Sequence, residues 1–373
     1  SLVLNKKYRK NLLTFQDWPL WVFLICLLVG VVGAIDKRVA LKTYLYMATT
    51  LLSLFYIGKG LYRFNKDRET VITAICICSS LVALFGIFEV IFGFNPLYKY
   101  FIANQYYNRY TTGWVRPMST QFNPAPLATY LLVSLPFVIY VLKQKTLGKK
   151  MLGLSVASIN IICLILTFSR GAYLGLLCML FSFLLITRKY KKLMLFFLIL
   201  VILLTIFSFL PYPLNRLSPK GIGMFGTGVF SKYRIARLEM TLAMFKDSPF
   251  FGVGLSHFRT LFDKYYPLKA NLANIRYEVK IPDNMYLTFL AETGIIGTAG
   301  FLIFIFFLLK RGLMHLSKSK DEDRKQMLLI PMSALIGLLV NMAAYELFYW
   351  ANPYMLFCVI CGFVQGTLEC ITT

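Results

Sequence analysis

Residues 282–298 read PDNMYLTFLAETGIIGT and run straight into AGFLIFIFFLL, residues 299–309. A polar turn that opens an apolar stretch of this length marks a chain entering lipid, since a helix needs about 20 apolar residues to cross a hydrocarbon core of about 30 Å. Outward from this stretch, the same pattern of apolar run and basic punctuation recurs along the chain. Ten spans are expected, at about 18–35, 39–58, 70–93, 123–142, 151–169, 171–187, 193–211, 284–309, 326–346 and 353–371. Composition agrees: 58% of the 373 residues are hydrophobic, 15% are charged and the mean hydropathy is +0.65. That is too apolar for a water-soluble chain of this size. Runs of this length specify helices, which satisfy their own backbone in lipid. The expected fold class is therefore all-α, a polytopic membrane protein.

Lysine and arginine in the short connections give the orientation. Lys6, Lys7, Arg9 and Lys10 precede the first span, and Lys59, Arg63, Lys66 and Arg68 follow the second. Lys143, Lys145, Lys149 and Lys150 follow the fourth, RKYKK (188–192) follows the sixth, and Lys310 and Arg311 follow the eighth. Every second connection is basic, which predicts that both termini are cytoplasmic. Three segments result: 1–211, with spans one to seven and an extracytoplasmic segment at 94–122; a large extracytoplasmic loop at 212–282; and 283–373, with spans eight to ten. The first apolar run follows LNKKYRK with no small-residue cleavage site, so it reads as a retained span.

The net charge of +24 does not mark a nucleic-acid binder, because no compact basic domain carries it. Most of it sets topology and meets anionic headgroups of the membrane lipid. All eight cysteines lie in apolar runs, and Cys358 and Cys361, despite their CxxC spacing, have no acidic or histidine neighbours, so they read as small buried hydrophobes. The DED triplet at Asp321 to Asp323 sits among Lys318, Lys320, Arg324 and Lys325 and reads as a solvated turn.

The large loop holds eleven Lys or Arg against four Asp or Glu, and loops of this length escape the orientation rule. Its charge is available for binding. Residues 214–228 are rich in Gly, Pro and Ser and predict irregular backbone. From Ser231, taken as an N-cap, SKYRIARLEMTLAMFKD predicts an amphipathic helix with an apolar stripe of Ile235, Leu238, Leu242 and Phe245. Arg234 and Arg237 share a neighbouring face with Thr241. Ser248-Pro249 ends this helix, Gly252-Val-Gly254 makes a turn, and a second short amphipathic piece runs from about His257 to Tyr266.

Four stretches on the expected outer side, in order, carry a resemblance. They are RPMSTQFNP (116–124) leading into LATYL (127–131); LTFSRGAYL (166–174); RLE (237–239) followed by KDSPFFGVG (246–254); and Asp283-Asn284 followed by GIIGT (294–298). Together they resemble the O-antigen ligase and Wzy-type polymerase superfamily, over roughly residues 110 to 310. The resemblance implies a membrane glycosyltransferase of GT-C type architecture. It implies a polyprenyl-diphosphate-linked oligosaccharide as donor and a glycan acceptor outside the cytoplasmic membrane. By the same analogy Arg170 and Arg237 bind diphosphate, and position 283 holds the residue that activates the acceptor.

Elementary chemistry leads to the same residue types. Displacing a lipid diphosphate from an anomeric carbon builds charge on the leaving oxygens, and guanidinium groups offer planar, permanently charged donors to it. A carboxylate then serves as base for the acceptor hydroxyl. No metal or cofactor is expected. Arg170 is the sharpest single residue, because an arginine between two hydrophobic spans is costly unless paired, wet or snorkelling. Arg116, beside Pro117, and Arg234 are further candidates for phosphate contact. Asp283 departs from the ligase pattern, which has histidine before Asn, Ser or Gln. It reads either as base or as an ordinary N-cap, with Asn284 beside it assigned to substrate. His257 is the alternative base. Glu292 lies nine residues beyond Asp283 and reads as an arginine partner or a structural acceptor near the substrate; Glu89 and Glu346 also lie near span ends. The expected function is Wzy-type polymerisation, with ligase-type transfer to a lipid, cell-wall or protein acceptor as the alternative. Transport of a lipid-linked substrate is less favoured, because no internal repeat stands out and the polar residues cluster on one side rather than at the midplane.

Overall fold

The computed structural model describes residues 14–63, 65–97, 115–142, 146–188, 191–192, 194–195, 229–265, 282–319 and 321–372. Eleven α-helices occur among them: α1 (Trp18–Val32), α2 (Lys37–Arg63), α3 (Asn65–Phe92), α4 (Pro124–Leu142), α5 (Leu147–Leu166), α6 (Arg170–Ile186), α7 (Val229–Asp247), α8 (Phe258–Tyr265), α9 (Met285–Lys318), α10 (Glu322–Met342) and α11 (Ala351–Thr372). No strand is present among the described residues. The chain is all-α.

Among the described residues, seven helical segments are long and apolar enough to cross a membrane: Phe15–Val32, Arg68–Phe92, Pro124–Leu142, Leu147–Leu166, Met285–Lys318, Glu322–Met342 and Ala351–Cys370. Two further expected spans are helices but fall short of that measure. α2 spans 27 residues but carries Lys37, Arg38, Lys42, Lys59 and Arg63, and α6 has 17 residues. The expected span at 193–211 lies almost wholly outside the described residues, as do the irregular segment at 214–228 and most of 94–122.

Small residues let the helices approach closely, which is how packing substitutes for the hydrophobic effect in lipid. A Cβ added at Gly362 or Gly366 of α11 would lie 2.3 Å from the Phe55 carbonyl oxygen or 2.4 Å from that of Lys59, so α11 lies directly on α2. A Cβ at Gly175 of α6 would lie 2.6 Å from the Gly337 carbonyl oxygen of α10. α1 packs along α9, and Phe23, Phe289, Phe301 and Phe348 form an aromatic core between α1, α9 and the α10–α11 link.

The two ends of the bundle differ. At one end Lys59, fully buried, is held by Asp17 at 2.7 Å and Glu369 at 2.6 Å, and Arg63 reaches Glu369 at 3.4 Å. Asp321 of the DED triplet caps α10 by accepting from the Asp323 and Arg324 amides, as a solvated turn should. At the other end converge the α1–α2 turn, residues 116–123, the α5–α6 corner, residues 248–258, the mouth of α9 and the α10–α11 link.

Candidate active site

α9 is not one continuous helix. Gly294 takes φ 62° and ψ −162°, a conformation open to glycine and costly for other residues. The break frees backbone groups that the KDSPFFGVG stretch satisfies. The Ile295 N–H donates to the Pro249 carbonyl at 2.8 Å, while the Val253 and Gly254 N–H groups donate to the Ala291 and Glu292 carbonyls at 2.9 and 3.0 Å. Two motifs separate in sequence thus form one unit, which fixes α7 and α8 against the first turns of α9.

α7 begins at Val229, so Ser231 lies within it and is not its cap. Its apolar stripe faces away from the bundle. Ile235, Leu238 and Leu242 are 53%, 41% and 41% exposed, whereas Ala236, Met240, Thr241 and Met244 are buried. Against α9 only small or pliable side chains fit, with Met240 and Met244 clustering with Ala291; the larger apolar side chains face outward, where a membrane accommodates them. This rotation turns Arg237 inward. The side chain of Arg234 lies outside the described residues.

Arg237 Nη1 donates to Asp283 Oδ2 in an ion pair, with 17% and 43% of the two side chains exposed. Of the two readings of Asp283, the helix cap is corrected: Asn284 is the N-cap, accepting from the Leu287 N–H at 3.1 Å. Asp283 sits one residue before it at φ 54°, in the left-handed region. Its N–H donates to Glu346 Oε1 at 2.7 Å. Glu346 is 2% exposed, and its carboxyl is pushed up to about 8 by burial and by the nearby Asp283 charge, against the Asp283 N–H, Arg259 and Arg237.

The other predicted residues take separate positions. His257 is buried and committed at both ring nitrogens: Nδ1 donates to the Leu255 carbonyl at 2.8 Å and Nε2 accepts the Asp36 N–H at 3.0 Å. It ties the α8 end of the loop to the α1–α2 turn. Glu292 accepts from the Ser256 and Phe258 N–H groups at 3.0 and 2.9 Å and from the Tyr349 hydroxyl, matching the structural-acceptor reading. Burial and the Glu292 charge push the Tyr349 hydroxyl well up, so it remains a donor.

Arg116 Nε donates to the Thr167 carbonyl at 2.8 Å, which brings it to the corner where Arg170 starts α6. A Cβ on the adjacent Gly171 would lie 2.7 Å from Asn341 Oδ1 and from Ala344 Cβ. The start of α6 at Arg170 therefore stands beside the end of α10 and Ala344, which is two residues before Glu346. Arg116 and Arg170 form one basic corner, and Arg237, Asp283 and Glu346 form a contacting group; the α10–α11 link joins them. Sequence reading missed Arg259, whose charge acts on Glu292 and Glu346. Its only signal was its place in the short second amphipathic piece.

A guanidinium paired with an accessible carboxylate at a helix mouth, with a second basic corner at the same end of the bundle, suits an anionic group and a hydroxyl. Residues 154–302 match the family model described as O-antigen ligase. That range contains Arg170, Arg237, Asp283 and the α9 break. No curated protein matches the chain.

Proposed function

We propose that this chain, whose residues 154–302 match the O-antigen ligase family model, is a glycan polymerase of the O-antigen ligase/Wzy-type superfamily acting outside the cytoplasmic membrane on polyprenyl-diphosphate-linked oligosaccharide. The acceptor is the non-reducing end of a second lipid-linked unit. The acceptor hydroxyl oxygen attacks the anomeric carbon of the donor, the bond from that carbon to the diphosphate oxygen breaks, and the hydroxyl proton passes to Asp283. Arg170 and Arg237, with Arg116 at the same corner, hold the charge that the departing polyprenyl diphosphate gains. Because Arg237 already pairs with Asp283, an arriving diphosphate competes for the guanidinium and frees the carboxylate as the donor seats.

The observation that carries this reading is the Arg237–Asp283 pair at the mouth of α9, with Asn284 doing the capping. Aspartate where the ligase pattern has histidine favours polymerase; the description of the matched family favours ligase-type transfer. The two are separated by incubating purified protein with polyprenyl-diphosphate oligosaccharide. Polymerase activity gives longer glycans still on the lipid, whereas product only on a different lipid, cell-wall or protein acceptor establishes the ligase. Arg170→Ala and Arg237→Ala are each expected to raise the donor KM and lower kcat, by a combined factor of about 100 or more. Intact turnover in both would remove the diphosphate clamp.

A further inference from the structure

Asp283 occupies a conformation that nothing in its own helix enforces. A non-glycine residue in the left-handed region costs about 1 kcal/mol or more and persists only when its surroundings hold it. The helix cap comes from Asn284, so capping does not hold Asp283. Its carboxylate is nearly half exposed and meets Arg237. The buried anchor is its backbone N–H, which Glu346 accepts at 2.7 Å. Glu346 is itself fixed: it precedes the short turn Leu347–Tyr349, and the Tyr349 hydroxyl is bonded to Glu292 two turns along α9. The link between α10 and α11 thus holds the start of α9 at two points, the Asp283 N–H and the Glu292 carboxylate.

We propose that Glu346 is a positioning residue of this site, holding Asp283 by its N–H in the left-handed conformation that aims the Asp283 carboxylate at Arg237 and at the open mouth. This rests on the reading of Asp283 as the acceptor's base. At neutral pH Glu346 acts as an uncharged acceptor and does not repel Asp283. The groups facing it are Asp283 just before α9, Arg237 from α7, Arg259 from α8, and Tyr345 and Tyr349 from its own link. Once ionised in alkali, it adds a second negative charge beside Asp283 and draws on Arg237. Transfer then slows as pH rises through about 8.

The test uses the full chain in lipid nanodiscs. Glu346→Gln keeps a neutral oxygen acceptor, and Glu346→Ala removes it. The Gln variant is expected to hold kcat within about threefold of wild type at neutral pH and to lose the alkaline fall, whereas the Ala variant drops kcat by about 10- to 100-fold with donor KM nearly unchanged. Amide hydrogen exchange at Asp283 is expected to be slow in wild type and the Gln variant and fast in the Ala variant. The proposal is overturned if the Ala variant retains wild-type kcat, if Gln and Ala are equally impaired, or if exchange at Asp283 is the same in all three. Should wild-type protein transfer no glycan at all, the transferase reading fails, while the exchange comparison still decides whether Glu346 holds Asp283.

Discussion

Asp283 and Glu346 illustrate how one backbone hydrogen bond settles the task of two acids. Asn284 takes the cap, Glu346 takes the Asp283 N–H, and the Asp283 carboxylate is left for Arg237 and the open mouth. Asp283→Asn is expected to fold normally, since asparagine tolerates positive φ, and to lose turnover by about 100-fold or more. An unchanged melting temperature with lost activity would show this; retained activity would reduce Asp283 to a structural residue. A stability measurement checks Glu346. Its ordinary value is 4.5 and its folded value about 8, so between these the folded chain binds more protons than the unfolded one. Stability contributed by this group is complete below about pH 4.5 and falls as pH rises to about 8. Thermal unfolding across that range should show a decline that Glu346→Gln removes.

Among the elements, the break in α9 matters most for the site. A helix interrupted in a membrane has to satisfy its freed backbone groups within the protein, and residues 249–254 do so. A Cβ at Gly294 would lie 2.4 Å from the Phe250 carbonyl oxygen, at a φ of 62°. Gly294→Ala is expected to destabilise by about 1–3 kcal/mol and to reduce kcat, because the same loop carries α7 and hence Arg237. Unfolding in detergent together with turnover checks both effects; a variant with wild-type melting and activity would mean the loop does not depend on the break. α7 shows the complementary point. Its amphipathic pattern was readable, but the stripe of Ile235, Leu238 and Leu242 faces outward, since both a lipid and a protein face are apolar.

In the molecule as a whole, charge is concentrated at two ends with different work. The far end from the site buries Lys59 between Asp17 and Glu369, joining the start of α1 to α2 and α11. Such a triad adds little over apolar packing when complete, but removing one member leaves buried charge unmatched. Lys59→Ala is expected to cost about 3–5 kcal/mol, read as a lowered melting temperature, while the donor KM of the folded protein stays unchanged. A shifted KM would show that the two ends are coupled.

The sequence by itself determined the all-helical membrane class, the position of nearly every described helix to within a few residues, and the grouping of Arg116, Arg170, Arg237 and Asp283 on one side. These follow from local quantities: the length of apolar runs, basic punctuation and motif order. Only the tertiary structure decided that α9 breaks at Gly294, that α7 turns its larger apolar residues outward, that His257 is committed to the Asp36 N–H, and that Glu346 holds Asp283. Each depends on a partner distant in the chain, 63 residues away for Glu346 and Asp283 and 221 for His257 and Asp36. Local pattern shows that a polar group needs a partner; only the packed backbone selects which one it finds.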